Sequence, residues 1–272
     1  MSDRAARMDI TASIVSHGHG AQLAQLLDDL AGLAGPRPRR VIVTLNVPEP
    51  QRVAPLQGRH WPFEVEWLPN ARPAGFGANH NRAFERDARL GASALLAVLN
   101  PDLRLRANPF EALVAALQTD ARIGAAYPVQ LDAAGRLQDH ERLAPTPARL
   151  LRRHLLRRAR ELAPGQSPDW VNAAFLLLRR AAWTEVHGFD EGFHMYCEDV
   201  DLCLRLQLAG WRLARADAAV VEHAAQRASR RHLQPLVWHA GSLLRLWRSP
   251  AWRAWRVRLP AEADRPESIH RP

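Results

Sequence analysis

Six carboxylates, Glu185, Asp190, Glu191, Glu198, Asp199 and Asp201, lie between Ala181 and Leu204 with no arginine among them, in a chain of formal charge +9. Acids this close repel one another and resist ionisation unless a cation, a helix N-terminus or arginines from elsewhere compensate them. The stretch from Gly188 to Leu206 (GFDEGFHMYCEDVDLCLRL) is therefore a candidate reaction centre, able to take up a proton or face a cation. The plainer reading is that some of these acids cap and decorate a helix. Asn100-Pro101-Asp102 offers a further acid directly after the apolar run ALLAVL, and Glu222-His223 closes a later apolar piece. His17 and His19, alternate residues in a Gly-flanked loop, read as exposed side chains and not as metal ligands.

These groups need elements to position them. Ile10 to Ser16, Val41 to Leu45 and Phe63 to Leu68 read as strands, the last with clean alternation. Ala21 to Leu33 is a helix with Leu23, Leu26, Leu27 and Leu30 on one face. This β-α-β opening favours a parallel sheet with ligand loops at the carboxyl ends of its strands, where Asp102 would stand after Ala94 to Leu99. Gly75 and Gly77 allow close backbone approach, and Asn79 or Asn81 would cap the next helix. The pattern matches neither the dinucleotide fingerprint nor a P-loop. Asn108, Pro109 and Glu111 open a helix as cap, first residue and third residue, ending near Gln118. Ile123 to Val129 is a strand, Asp132 to Gly135 a turn, and Asp169 to Arg179 one strand leading to the acidic stretch. Val200, Cys203, Leu204 and Leu208 have helical spacing, so Glu198 and Asp199 fall in a first turn, whose dipole should keep them ionised near neutral pH. Trp211 to Ala214 and Ala218 to Val221 read as two short extended pieces.

Composition sets the class. A chain of 272 residues with 47% apolar content buries a sizeable core, has no apolar run of membrane-spanning length, and begins without a signal-peptide pattern, so the default location is the cytoplasm. Cys197 and Cys203 form no metal pattern and read as reduced thiols. All 37 basic residues apart from histidine are arginines, which favour phosphate and carboxylate partners: nucleic acid, a lipid surface or a phosphorylated substrate. Ala148 to Leu162 carries Arg149, Arg152, Arg153, Arg157, Arg158 and Arg160 around Leu150, Leu151, Leu155 and Leu162, a basic amphipathic helix suited to a membrane surface or an anionic ligand, or simply packed by its leucines. From Leu233 to Leu259, Trp238, Trp247, Trp252 and Trp255 alternate with arginines, which suits an anionic membrane headgroup layer or stacking on nucleic-acid bases.

Taken together, GFGANHN, LNPD, the apolar run ending LLLRR, GFDEGFHMYCEDVDLCLRL and VVEH resemble the family 2 inverting glycosyltransferases, particularly bacterial rhamnosyltransferase-like enzymes, from about Ile10 to Trp247. The resemblance implies an α/β GT-A fold, a mostly parallel central sheet with flanking helices. Its nucleotide-sugar half would cover about residues 10–130 and its acceptor and catalytic half 131–232, within a domain of 1–247, followed by a basic Trp-rich helix and tail over 233–272. It places the metal and diphosphate motif on Asn100 and Asp102, with His223 as a second metal ligand for Mn or Mg. Glu198 and Asp199 become the catalytic acids, with Asp199 the base. Donor contacts fall on Ser16, Asn46, Gly75, Gly77, Asn79, Asn81, Asn100 and Asp102, and the acceptor side on Asn172, Asp190 and Glu191. The implied partners are a nucleotide-sugar, a lipid-linked or glycan acceptor and the inner face of an anionic membrane. The sequence departs from the family pattern at Leu45, at Asn172 to Ala174 and at His187. A basic RNA-binding protein and a non-catalytic membrane-associated relative are the alternative readings; RNP-type aromatic motifs are absent, so no specific nucleic acid is expected.

Overall fold

The computed structural model describes residues 8–156, 162–163, 165–224 and 233–258. Its centre is β1 (Ile10–Ser16), a run buried at every position because parallel neighbours flank it and helices cover both its faces. Around it stand β2 (Arg40–Leu45), β3 (Glu64–Pro69), β4 (Leu95–Leu99), β5 (Leu103–Arg104), β6 (Ile123–Leu131), β9 (Phe175–Arg179) and β10 (Arg212–His223), with β7 (Glu141–Arg142) and β8 (Trp170–Val171) forming a separate two-stranded ribbon. The eight-stranded order is β3-β2-β1-β4-β9-β6-β10-β5. The pairs β1–β2, β1–β4, β2–β3 and β6–β10 are parallel, whereas β9 runs antiparallel to β4 and β6, and β5 to β10.

Period-two alternation divides each central strand between two cores. Leu95, Ala97 and Leu99 of β4, with Phe175 and Leu177 of β9, pack under α1 (Gly20–Gly32) and α4 (Phe110–Thr119). Leu96, Val98, Leu176 and Leu178 face the opposite layer, which holds α3 (Phe76–Arg89), α6 (Arg180–Glu185), α7 (Glu198–Leu208) and the pair α8 (Leu233–Arg248) and α9 (Pro250–Arg256). Two further helices, α2 (Pro50–Gln57) and α5 (Pro147–Leu156), complete the described elements. No helix among the described residues is long and apolar enough to cross a membrane.

Several local expectations change. The run from Asp169 to Arg179 is broken: Asn172, Ala173 and Ala174 leave the ladder between β8 and β9, because β8 pairs with β7 while β9 joins the main sheet. The two pieces at Trp211 to Val221 are one strand, interrupted by a register shift between Ala216 and Val220. The predicted alternation in β3 is lost to partial exposure on both faces, as its edge position allows. The helix over Ala148 to Leu162 is described to Leu156, with Leu151 60% exposed, and Arg157, Arg158 and Arg160 lie outside the described residues. Trp252 and Trp255 are buried in the second core and Trp247 donates to the Pro145 carbonyl at 2.9 Å, so these indoles pack the protein instead of facing a headgroup layer.

One buried charge cluster ties β1, β2, α3 and α6 together. Asp87, fully buried, accepts from Thr11 Oγ1 (2.6 Å), Ser93 N (3.0 Å) and Arg40 Nη1 (2.6 Å), and pairs with Arg180. Removing the carboxylate leaves two guanidiniums facing each other with little water. Asp87→Ala is therefore expected to lower unfolding free energy by about 3–5 kcal/mol in urea titrations; a loss under about 1 kcal/mol would contradict a structural role for the cluster.

Candidate active site

The first half of the site forms where β4 ends. Asn100 N donates 2.8 Å to Ala174 O, the next pair in the β4–β9 register, and Pro101 then stops the strand. The short β5 then pairs antiparallel with the last residues of β10, setting Leu103 opposite His223 and bringing Asp102 alongside. Asp102 Oδ1 stands 3.4 Å from His223 Nε2, and Asn100 Nδ2 is also 3.4 Å from that nitrogen. Gln138 holds the ring from behind: its Nε2 donates to His223 O at 2.6 Å, and its Oε1 lies 3.1 Å from Nδ1. Since Oε1 can only accept, this network puts a proton on Nδ1 and turns Nε2 toward Asp102. Burial pushes the Asp102 carboxyl up, but the hydrogen bond and charge of His223 outweigh it and hold its pKa below the ordinary value. His19, read as an exposed loop side chain, is half-buried; burial lowers its pKa even though Asp102 pulls the other way. His17 is exposed, as expected.

These residues fit a divalent cation as a two-point site. Ligands at about 2.1 Å and at right angles stand about 3 Å apart, close to the Asp102–His223 separation, and a mixed O and N donor set suits Mn²⁺ or a comparable ion. No cluster of three or more His, Cys, Asp or Glu side chains suited to a metal occurs among the described residues. A bound ion would therefore need oxygen ligands from elsewhere.

The second half is the start of α7. Tyr196 (φ 70°) and Cys197 (φ 63°) are consecutive non-glycine residues in the left-handed region, a conformation costing about 1–2 kcal/mol each and kept only where surroundings enforce it. Here α8 enforces it: the Trp238 ring lies 4.9 Å from His194, His239 lies 5.3 Å from Tyr196, and Ser242 Oγ donates to Met195 O at 2.7 Å. The turn delivers Glu198 and Asp199 side by side into the helix's first turn. Asp199 Oδ1 accepts from Val200 N at 2.8 Å, and its carboxylate is also bonded by the Ala173 amide and feels the charge of Arg142. Glu198 is 6% exposed and its Oε2 has no hydrogen-bond partner.

The expectation that the helix dipole keeps both acids ionised is corrected. Burial raises both, and the charge of Asp199 raises Glu198 further; only its own amide opposes the rise at Glu198, whereas several amides and the charge of Arg142 oppose it at Asp199. Asp199 is the anionic member of the pair and Glu198 holds the proton. The two cysteines are free, and burial pushes the Cys203 thiol up to about 12.

The two halves meet at the gap between β8 and β9. Ala173 donates to Asp199, and Ala174 accepts from Asn100. Asn172 locks this gap through a reciprocal amide pair with Gln130 (2.7 and 3.1 Å). Asn100, Asp102, Asn172, Glu198, Asp199 and His223 are thus brought together. Among the described residues, no hydrogen bond or ion pair joins the other candidates to them. Asp190 is held by Arg245 of α8 at 2.9 Å, and Asn81 secures the acidic loop through Phe189 N and O and Glu191. Asp201 pairs with Arg205 at 2.7 Å. Ser16 donates to Glu49 at 2.9 Å, while Asn46 brackets Ala74 with both its amide groups. Neither Asn79 nor Asn81 caps α3: both lie inside the helix, and buried Asn79 bonds Ala74 O and Asn70. The close approach that Gly75 and Gly77 permit is to the acidic loop, where a Cβ would stand 2.8 Å from His194 O and 2.6 Å from Phe189 Cβ respectively. Gln138, Arg142 and Arg245 were missed in the sequence, since each is an ordinary polar residue whose partner is far along the chain.

The profile of the family described as "Glycosyltransferase like family 2" matches residues 7–236. The chain is 28% identical over 243 residues to the rhamnosyltransferase WbbL of Escherichia coli (strain K12), covering 85% of this chain and 90% of that protein. It is 30% identical over 232 residues to the N-acetylglucosaminyl-diphospho-decaprenol L-rhamnosyltransferase of Mycobacterium tuberculosis, covering 77% and 74%. Among solved structures it resembles S. aureus TarS 1–349 in complex with UDP-GlcNAc (TM-score 0.63, 13% identity, 89% of this chain and 68% of that one). It also resembles GalNAc-T7 with UDP, GalNAc and Mn²⁺ (0.60, 14%, 79% and 43%), less than half of whose length it spans, and the Pyrobaculum calidifontis mannosyltransferase PcManGT with GDP-Man and Mn²⁺ (0.59, 15%, 92% and 64%). The mixed sheet with its mostly parallel half is thus the GT-A fold that the sequence resemblance implies, and the chain belongs to the glycosyltransferase-like family 2.

Proposed function

We infer that the protein is an inverting glycosyltransferase that moves a sugar from a nucleotide-sugar to a hydroxyl of a lipid-linked or glycan acceptor in bacterial surface polysaccharide synthesis, working at the cytoplasmic face of the membrane. The observation that carries this reading is the shared anchorage of Asp199 and Asn100 on Ala173 and Ala174. It supports reading Asp199 as a base that works next to a diphosphate-binding end at Asp102 and His223. Asp199 takes the proton from the acceptor hydroxyl as its oxygen attacks the donor's anomeric carbon from the side opposite the leaving diphosphate, which inverts the centre in a single displacement. Glu198, neutral beside it, keeps the charge of the site on one carboxylate. Asp102 and His223 would hold Mn²⁺ or Mg²⁺, which supplies charge neutralisation to the departing diphosphate. The donor side is assigned to Ser16, Asn46, Gly75, Gly77, Asn79, Asn81, Asn100 and Asp102, and the acceptor side to Asn172, Asp190 and Glu191. The Mn²⁺ bound in two fold neighbours and the diphospho-decaprenol in the name of the mycobacterial relative support the cation and the lipid-linked acceptor.

Asp199→Asn is expected to lower kcat by about 10²–10⁴-fold with donor binding retained, followed as nucleotide diphosphate release; a variant within a few-fold of wild type would remove the base assignment. Because burial raises Asp199 and the base must be ionised, activity should fall as pH drops through a point above the ordinary aspartate range. Glu198→Gln should leave that acid limb in place, since Glu198 is already neutral when Asp199 titrates. A displaced limb would show that Glu198 carries charge there.

Stability gives an independent check on Glu198. Its folded pKa is raised, so ionisation opposes folding: the penalty is absent below the unfolded glutamate range of about 4.3 and grows until the folded carboxyl titrates. The stability advantage of Glu198→Gln over wild type in urea titrations should widen as pH rises through that window; a constant difference would contradict the raised pKa. For the cation, Asp102→Ala should raise the Mn²⁺ concentration needed for half-maximal activity by at least tenfold, and indifference to both the substitution and chelator would refute the two-point site.

A further inference from the structure

Beside the β7–β8 ribbon lies a cavity of about 200 Å³ that the reaction described above does not use. Arg142, Arg149, Arg153 and Trp170 line it, with Leu150 and His239. Its walls come from β7, the loop that follows it, β8, the first turns of α5 and one residue of α8. Arg142 lies over the Trp170 ring at 5.1 Å and bonds Asp139 at 3.2 Å. Arg149 donates to Ala144 O at 3.0 Å and stands 3.5 Å from Asp169. Arg153 pairs with Asp139 through one nitrogen, while its Nη1 is buried with no hydrogen-bond partner. The unpartnered Nη1 is a donor for which burial without an acceptor is costly. Forked guanidinium donors beside an aromatic face suit a phosphate or diphosphate ester.

The position of the cavity says which anion. Arg142 acts on the charge of Asp199. The strand that carries Trp170 leads in three residues to Ala173, whose amide bonds Asp199. His239 packs on Tyr196, three residues ahead of Asp199. The cavity therefore neighbours the base through Arg142 and through His239 on Tyr196. A ligand whose hydroxyl reaches Asp199 would extend its next group here, while the diphosphate of the donor belongs at Asp102 and His223. Leu150 on the wall and Leu151, exposed next to it on α5, add apolar surface beside the charges.

We propose that the Arg142–Arg149–Arg153 cavity binds the diphosphate of a lipid-diphosphate-linked sugar acceptor, so that the sugar attached to it presents its hydroxyl to Asp199. This rests on the transferase reading given above for the identity of the ligand. The site itself can be tested without turnover.

Isothermal titration of the full chain with citronellyl diphosphate, in the absence of divalent cation, measures the site directly. Arg153→Gln should weaken binding about tenfold or more, as loss of a charge-assisted bond predicts. Asp102→Asn should leave it unchanged, and the neutral alcohol citronellol should not compete. Equal affinity in wild type and Arg153→Gln would overturn the proposal, as would loss of binding in Asp102→Asn alone, which would place the diphosphate at the donor end. Equal competition by citronellol would also overturn it, because the cavity would then read the chain and not the charge. Should Arg153→Gln fail to fold by its urea midpoint, Arg149→Gln on the same helix gives the same comparison. If binding depends on Arg153 in a protein that turns over no nucleotide-sugar, the cavity assignment stands and the transferase reading falls; turnover with no dependence on Arg153 gives the reverse.

Discussion

A single ionised carboxylate at the start of α7 is the constraint around which the second half of the molecule is built. Burying a charge beside a second acid is unfavourable unless donors replace the lost water. The chain meets that requirement with two backbone amides, Val200 and Ala173, and with the field of Arg142. The amide of Ala173 is available only because β8 and β9 are interrupted at residues 172–174, and the Asn172–Gln130 pair fixes that interruption. The neighbouring acid, Glu198, has only its own amide against burial and the charge of Asp199 and keeps its proton, so two carboxyls occupy the site with one charge between them.

The approach to this carboxylate is strained, and the strain explains the C-terminal helices. Two successive left-handed residues do not persist by themselves, and α8 lies across the preceding loop with Trp238, His239, Ser242 and Arg245 in contact with it. Its arginine also compensates Asp190, much as Arg205 compensates Asp201. The acidic stretch is therefore neutralised piecemeal. Two of its acids have arginines, Asp199 has amides, and Glu198 stays neutral.

Much of this was legible in the sequence because it depends on local patterning. The seven residues of β1, the leucine face of α1, the stop at Pro101 and the start of α7 at Glu198 follow from periodicity and breaker residues, and the structure reproduces them. The conjunction of Asn100, Asp102 and His223 came through family resemblance; its physical cause, the short β5 pairing with the end of β10, is a two-residue ladder that no pattern announces. Asn79 and Asn81 look like caps because asparagine favours helix starts, but the helix begins earlier, at Phe76, where Gly75 fits beneath His194. The tryptophans of the C-terminal segment carry no mark of whether they face lipid or core; only the position of α9 against α7 decides it for Trp252 and Trp255. The ionisation error has the same origin, since a first-turn dipole is visible in sequence whereas burial is not.

The central claim, one charge shared unequally by Glu198 and Asp199, is open to direct observation by infrared spectroscopy of the carboxyl stretch at neutral pH. The account predicts a protonated buried carboxyl band in the wild type that disappears in Glu198→Gln and persists in Asp199→Asn. A wild-type spectrum with no such band, or a band lost only in Asp199→Asn, would contradict it.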